Sequence, residues 1–449
     1  MISADKVYLE KINEVFVKVI AEPSIKMEMS SHFMFEVPGA KFMPAVRNRM
    51  WDGKVRLLNT MTGYIYAGLV PHIQRFCAQR EYECELSKDL QSTEPVPEDY
   101  GYELAKQLKV PNQFELRDYQ NTAVIHAIRH NRSLFLSPTA SGKSFIIYLI
   151  MAHHLLLDRK ILIVVPTTSL VDQMASDFVE YNNGEKMNIH KIRGGVDKTV
   201  DAEITISTWQ SLYKMPKQFF EKYDVVFGDE AHLFKAKSLT SILEKMPHVK
   251  YRYGLTGTID DALAHKLILE GLFGELFRVT KTKTLIDNNV LSQFNIKALV
   301  LKYPDDIRKE NKGKTYQEEI DWIVRNEFRN RFIRNLAWNL KGNTLILFQY
   351  VDKHGQALYD MLKKSDDHNV HFVHGGVKTD DRENIRHEVR NSRGELIELT
   401  FEKDTIKLKA EDKVLLSSGE IIFAKDVTLE HDVSNNWIKT NLKNNRKEK

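Results

Sequence analysis

The chain has 449 residues, enough for about three domains of ordinary size. With 42% hydrophobic and 28% charged residues it has the composition of a globular protein, which sets aside disordered and fibrous classes. A formal charge of +4 is mild, so any nucleic-acid surface has to come from local clustering of basic side chains.

Residues 1–95 come first. Val15–Val19 and Phe33–Val37 alternate enough to predict strands. Between Lys41 and Arg80 basic residues accumulate around a single acid, Asp52. They are densest from Arg47 through Arg49, Trp51 and Lys54 to Arg56, with a Trp-Asp-Gly turn in the middle. Basic side chains there can neutralise phosphates, and an aromatic among them can stack on a base or wedge at a strand junction. A solvated hairpin with Trp51 packed beneath it is the alternative. Cys77 and Cys84, the only cysteines, form no metal-ligand set and read as free thiols in a reducing cytosol. The N-terminus lacks the basic-then-apolar pattern of a signal peptide. Asp89 to Asp99, with prolines and a serine among acids, reads as a linker.

Residues 96–285 are predicted to form an α/β domain. A helix through Arg129 begins near Gln120, whose amide can read both the donor and the acceptor edge of adenine, with Arg117 in support. The short apolar run Ser133–Leu136 leads into Ser137-Pro138-Thr139-Ala140-Ser141-Gly142-Lys143-Ser144, and a long apolar helix, Phe145–Leu157, follows. Strand, small-residue loop and helix is the setting of a phosphate-binding loop. Backbone N–H groups and the helix N-terminus would hold phosphate, Lys143 would reach its β and γ groups, and the Ser144 hydroxyl would ligate Mg²⁺. Ser137 stands where the general pattern has its first glycine. The helix carries His153 and His154 and is too short to span a bilayer, so a cytosolic protein is expected.

Ile161–Val165 is a continuous apolar run, as a strand buried on both faces would be. It ends in Pro166, Thr167 and Thr168, followed by a helix carrying Gln173. Gly194 and Gly195, and then Thr208, Trp209 and Gln210, repeat the arrangement. Small residues and hydroxyls at strand ends suit a sequence-blind grip on one nucleic-acid strand, although ordinary connecting loops fit each of them singly. Val225–Gly228 then delivers Asp229, Glu230, Ala231 and His232. Asp229 can hold Mg²⁺ and Glu230 can activate a water. Thr256, Gly257 and Thr258 close a further strand and are placed to couple nucleotide state to a moving neighbour.

In this order and spacing, the stretches Ser137–Ser144, Asp229–His232 and Leu255–Thr258 resemble the superfamily 2 helicases of the DEAH-lettered type. Met50–Lys54, Pro166–Leu170 and Lys312–Glu319 narrow the likeness to UvsW-type phage recombination helicases, over residues from about 30 to about 390. The resemblance implies an ATP- and Mg²⁺-dependent translocase with two RecA-like domains. Its implied substrates are branched DNA such as Holliday junctions and D-loops, and R-loops with their RNA–DNA hybrids, in recombination and repair. A phage-encoded member would work in the host cytoplasm. The resemblance also implies that residues 166–170, 194–195 and 208–210 contact the tracking strand.

Residues 286–390 are expected to begin a second RecA-like domain. Its strands would be Thr344–Tyr350, followed by His354, and Val370–Gly376, which ends in Gly375 and Gly376, with a helix from Thr379 to Val389. His354 and the two glycines are candidate strand contacts. The acids around Pro304–Lys312 read as a charged linker. The Gln-x-x-Gly-Arg-x-x-Arg helix that carries the arginine finger in this family does not occur, and Arg382 and Arg386 read as solvated surface. Residues 391–449 read as an unrelated β-rich tail with a basic end. The fold expected is therefore a RecA-like core, a parallel sheet with flanking helices, behind a small α+β nucleic-acid-binding domain.

Overall fold

A computed structural model of the chain describes residues 5–37, 39–90, 95–192, 201–233, 236–258, 263–288, 290–291, 296–340, 342–364 and 369–377. It also describes residues 381, 382, 384, 385, 388 and 389, and the backbone of short strands between 397 and 423. The chain divides into two units, Met1–Asn295 and Ile296–Lys449.

The first unit opens with a four-stranded sheet. Strands β1 (Lys6–Lys11) and β2 (Phe16–Ile20) pair antiparallel. Their alternation buries Val7, Leu9, Val17 and Val19 on one face. Two helices cover that face: α1 (Pro23–His32), started by a proline in its first turn, and α2 (Val70–Gln79). Ile25, Met29, Ile73 and Phe76 complete the core. A separate hairpin, β3 (Met34–Glu36) with β4 (Lys54–Arg56), carries the basic stretch. Strands β5 (Tyr64–Tyr66) and β6 (Glu83–Leu86) complete the sheet in the order β5-β2-β1-β6.

Behind it lies a seven-stranded sheet whose strand pairs are all parallel. Its strands are β7 (Arg132–Leu136), β8 (Ile161–Val165), β9 (Ile189–Ile192), β10 (Ile204–Thr208), β11 (Val225–Gly228), β12 (Tyr251–Thr256) and β13 (Leu276–Arg278). The order is β13-β7-β12-β11-β8-β10-β9. Helices flank it: α3 (Asp118–His130), α4 (Lys143–Leu155), α5 (Thr168–Tyr181), α6 (Ala236–Glu244) and α7 (Leu263–Phe273). A side chain on Gly228 or Gly254 would come within 2.7 or 2.6 Å of the Phe273 ring, so two strand glycines let α7 lie close on the sheet. The fully buried Arg252 gives its guanidinium to the carbonyls of Leu243, in the last turn of α6, and of Met246 and Val249 just beyond it.

The N-terminal sheet is clamped to this core. A Cβ at Gly68 would sit 2.1 Å from the Glu270 carbonyl oxygen, so backbone meets backbone there. Arg132 Nη2 donates to the Glu14 carbonyl and carboxylate at 2.9 and 3.0 Å, Tyr66 donates to Glu244 at 2.9 Å, and His72 lies 3.2 Å from Glu270.

In the second unit a short helix over Asp305–Glu310 stands where a charged linker was expected, its acids in the first turn and Arg308 and Lys309 in the last, which suits the helix dipole. Longer helices follow: α8 (Tyr316–Arg325), opened by a Thr315/Glu318 capping box, α9 (Glu327–Asn339) and α10 (Gln356–Leu362). The buried strands expected at 344–350 and 370–376 do not form: neither stretch joins a sheet among the described residues, and the second ends in a turn at Gly375 and Gly376. Leu345 and Leu347 are each 82% exposed. Their apolar pattern suits a central strand, but a strand exists only where neighbours take its N–H and C=O groups. Phe348 and Phe372 instead stack at 5.3 Å. In the tail, β14 (Ile397–Phe401) pairs with β15 (Asp404–Leu408), and β16 (Lys413–Leu415) with β17 (Ile421–Phe423), all antiparallel.

Candidate ATP site and nucleic-acid interface

Because every strand of the large sheet runs the same way, all its C-terminal loops emerge at one edge, where open α/β sheets bind ligands. Strand order then sorts the motifs. The loops after β7, β12 and β11, adjacent strands, carry residues 137–144, 256–258 and 229–232. The loops after β8 and β10, the next pair, carry residues 166–173 and 208–210.

The phosphate-loop geometry is built by small residues. Gly142 takes φ +80° immediately before α4, and Ala140 takes φ +62°. The Ser137 and Ser141 hydroxyls are buried and 2.6 Å apart, and Ser141 donates to the Pro138 carbonyl at 2.6 Å. Ser137 thus fills the first-glycine position by pinning the loop through its side chain. Thr139 stands at the loop's mid-point. Ser137 N donates to the Thr256 carbonyl at 2.9 Å, tying the loop to the end of β12.

Lys143 Nζ is paired with the Glu230 carboxylate. A Cβ at Gly257 would come 3.4 Å from the same ammonium, so the bare glycine keeps the space beside it open. Glu230 adopts φ +48°, a left-handed conformation that costs a non-glycine residue about 1–2 kcal/mol.

Asp229 is only 6% exposed, and its Oδ1 has no hydrogen-bond partner among the described residues. Burial pushes its carboxyl up from 3.8 to about 6; the Lys143 ammonium opposes the rise and the Glu230 carboxylate adds to it. A buried carboxylate oxygen with nothing to bind fits a cation. The Ser144 hydroxyl lies 2.9 Å from that of Tyr181. Donating there leaves its lone pairs for a metal. One carboxylate and one hydroxyl suit Mg²⁺ that takes its other ligands from phosphates and water. No cluster of three or more His, Cys, Asp or Glu side chains forms a metal cage among the described residues.

His232 Nδ1 is 2.7 Å from Thr256 Oγ1 and 3.4 Å from Glu230 Oε2. Thr256 spends its one hydroxyl proton on the Thr258 carbonyl at 2.6 Å, so His232 Nδ1 carries the proton and donates. The ends of β12 and β11 are therefore joined directly through His232.

Gln120 is buried, with Oε1 accepting from Arg117 N and Nε2 donating to the Ser141 carbonyl, both at 2.9 Å. It ties α3 to the phosphate loop and keeps one proton and one lone pair for a base. Arg117 turns its guanidinium to the Tyr119 hydroxyl at 2.8 Å.

On the neighbouring loops, Pro166 is buried while Thr167, Thr168 and Gln173 are exposed. Gln210 donates to the Pro166 carbonyl at 3.3 Å, joining the two loops into one surface. Thr208 is buried and bonded to Ser211 at 3.0 Å, with Trp209 half-buried. Gly194 and Gly195 lie outside the described residues.

In the N-terminal hairpin, Arg47 and Arg49 are exposed, whereas Arg56 pairs with Asp52 at 2.6 Å and Lys54 lies 3.7 Å from Glu36. Trp51 is half-buried and its indole N–H donates to the Lys54 carbonyl at 2.9 Å. In the second unit, His354 is buried against Arg329 at 3.0 Å, a structural setting, while Gly375 and Gly376 form an exposed turn. Arg382 gives its guanidinium to the carbonyls of Gly375 and Val377, both at 2.8 Å. Tyr181 and Asp177, which surround Ser144, were missed from the sequence. Their spacing on one face of α5 was the available signal.

The fold and the arrangement at its edge define a RecA-like motor core of the superfamily 2 helicases, a DNA-dependent ATPase. Residues 9–87 match the family described as "DNA helicase UvsW, N-terminal", and residues 113–261 match "Type III restriction enzyme, res subunit". The chain is 33% identical over 396 residues to the ATP-dependent DNA helicase uvsW of Enterobacteria phage T4, covering 86% of this chain and 78% of that protein. Two crystal structures of UvsW from bacteriophage T4 are similar. One has a TM-score of 0.57 at 32% identity, covering 61% of this chain and 99% of that one. The other has a TM-score of 0.57 at 31% identity, covering 86% and 78%. The chain belongs to the UvsW family of DNA helicases.

Proposed function

We propose that this chain uses Mg²⁺-dependent ATP hydrolysis to move on branched DNA, namely Holliday junctions, D-loops and R-loops, in recombination and repair. The observation that carries the reading is the strand order, which sets the residues proposed for ATP beside the loops proposed for the tracking strand on one sheet edge. The exposed arginines of the N-terminal hairpin support a branched substrate, because they give the chain a second DNA-binding face. No described helix is long and apolar enough to cross a membrane, and the proposed place of work is the host cytoplasm.

In this reading Lys143 leaves Glu230 for the terminal phosphate, which frees the Glu230 carboxylate to orient and deprotonate water. Asp229 and Ser144 would hold Mg²⁺, which would supply neutralisation of the phosphate charge. His232, through Thr256, reports the state of Glu230 to residues 256–258. The test is stimulation of phosphate release: a four-way junction should exceed a linear duplex of equal length, and equal stimulation would remove the branched-DNA part of the proposal.

The unpaired stretches 344–350 and 370–376 favour a second reading, in which the chain binds ATP and DNA but turns over slowly. An arginine closing over the transferring phosphate is worth about a thousandfold or more, and Arg382 is held by turn carbonyls. Robust ATP-dependent fork unwinding by the 449-residue chain would exclude this reading.

A further inference from the structure

The tip between β3 and β4 exposes large apolar side chains to solvent. Phe42, Met43 and Met50 are 65%, 40% and 82% exposed. The tip is nonetheless built. A turn over Ala40–Phe42 and a single helical turn, Pro44–Arg47, form its outer wall. Met50 N and Trp51 N both donate to the Ala45 carbonyl, at 2.9 and 3.2 Å, and the Trp51 indole braces Lys54. Arg49 holds φ +55° at the turn that leaves Met50 exposed. Lys41 lies over the Phe42 ring at 5.1 Å, Arg49 adjoins Met50 in the chain, and Lys41, Arg47 and Arg49 are all exposed with no carboxylate partner among the described residues. Asp52, the sole acid between Lys41 and Arg80, is taken up by Arg56 and by Lys54 N.

We propose that Met50 and Phe42 form a wedge that presses against the terminal base pair at the branch point of duplex DNA, while Arg47, Arg49 and Lys41 hold the flanking phosphates. The proposal rests on the reading of this face as DNA-binding and adds which side chains meet the bases. Apolar side chains unstack a base pair without reading its sequence, and surrounding cations neutralise the backbone. Trp51, half-buried with its indole N–H on the Lys54 carbonyl, braces the tip from below. A basic and apolar patch also suits an anionic lipid surface, but such patches use long amphipathic helices, and here the charges sit on a compact turn.

The experiment uses the full chain without ATP and a forked duplex carrying 2-aminopurine at the junction base pair. Saturating protein should raise the fluorescence. The double variant Phe42→Ser/Met50→Ser should lose most of that rise while its fork affinity stays within about threefold, under 1 kcal/mol. Arg47→Glu/Arg49→Glu should lose about tenfold or more in affinity. A full rise in the serine variant, or a parent that binds without any rise, would overturn the wedge and leave the DNA-binding face standing. Parent-like fork affinity in the glutamate variant would overturn both. Binding to phosphatidylglycerol vesicles that the serine changes abolish, with the fork signal intact, would assign the patch to lipid and also overturn the wedge.

Discussion

Replacing Asp229 with Asn should stabilise the protein while abolishing its Mg²⁺-dependent chemistry. The carboxylate is 6% exposed with an unpaired oxygen, and burial lifts its pKa from 3.8 to about 6. Near neutral pH that difference corresponds to about 3 kcal/mol of stability forgone by keeping it charged. An asparagine amide still leaves a buried polar group without a full set of partners, which returns about 1 kcal/mol. The net expectation is about 2 kcal/mol, or roughly 4 °C in Tm for a unit of this size. The pH dependence has a definite sign. The folded pKa lies above the unfolded one, so the folded parent holds the proton more tightly and loses stability as pH rises from about 4 through 6. The Asn variant has no such titration. Its advantage should be full above pH 6 and gone near pH 4. Thermal melts of both proteins at pH 4.5 and 7.5, without metal or nucleotide, check this. Equal melting points at pH 7.5, or an advantage just as large at pH 4.5, would refute the reasoning.

Further expectations follow from the same geometry. Lys143→Ala should abolish ATP hydrolysis, because a charge meeting the phosphate in a water-poor site is lost. Glu230→Gln should bind ATP like the parent yet fail to turn it over, read by nucleotide-binding titration beside phosphate release. Reversing Arg47 and Arg49 to Glu should flatten the plot of log affinity for forked DNA against log salt by about two, since fewer counterions are released. Gly68→Ala puts a methyl 2.1 Å from the Glu270 carbonyl. It should cost about 1–3 kcal/mol in a melt by forcing the N-terminal sheet off the core.

Much of the first unit was legible because its signals are local. Ile161–Val165 is buried at every residue, as its uninterrupted apolar run predicts. The phosphate loop follows its strand and opens its helix where Gly142-Lys143-Ser144 places it. What was hidden depends on distant neighbours. Nothing near Gly68 in the sequence announces Glu270, and nothing near Ser144 announces Tyr181. Trp51 drew attention as the aromatic in a basic stretch; its indole N–H bonds the Lys54 carbonyl, and Met50 beside it in the chain, like Phe42, is more exposed than the sequence suggested. Thr344–Tyr350 shows the reverse failure. The stretch has strand composition, but pairing is a property of the whole sheet, and Leu345 and Leu347 stay exposed.

The central claim is a motor whose ATP site answers to DNA, and phosphate release by the purified 449-residue chain tests it most directly. The rate should rise when forked DNA is added, the rise should require Mg²⁺, and Lys143→Ala should remove it. Hydrolysis that ignores DNA, or that survives in the Lys143 variant, would contradict the account.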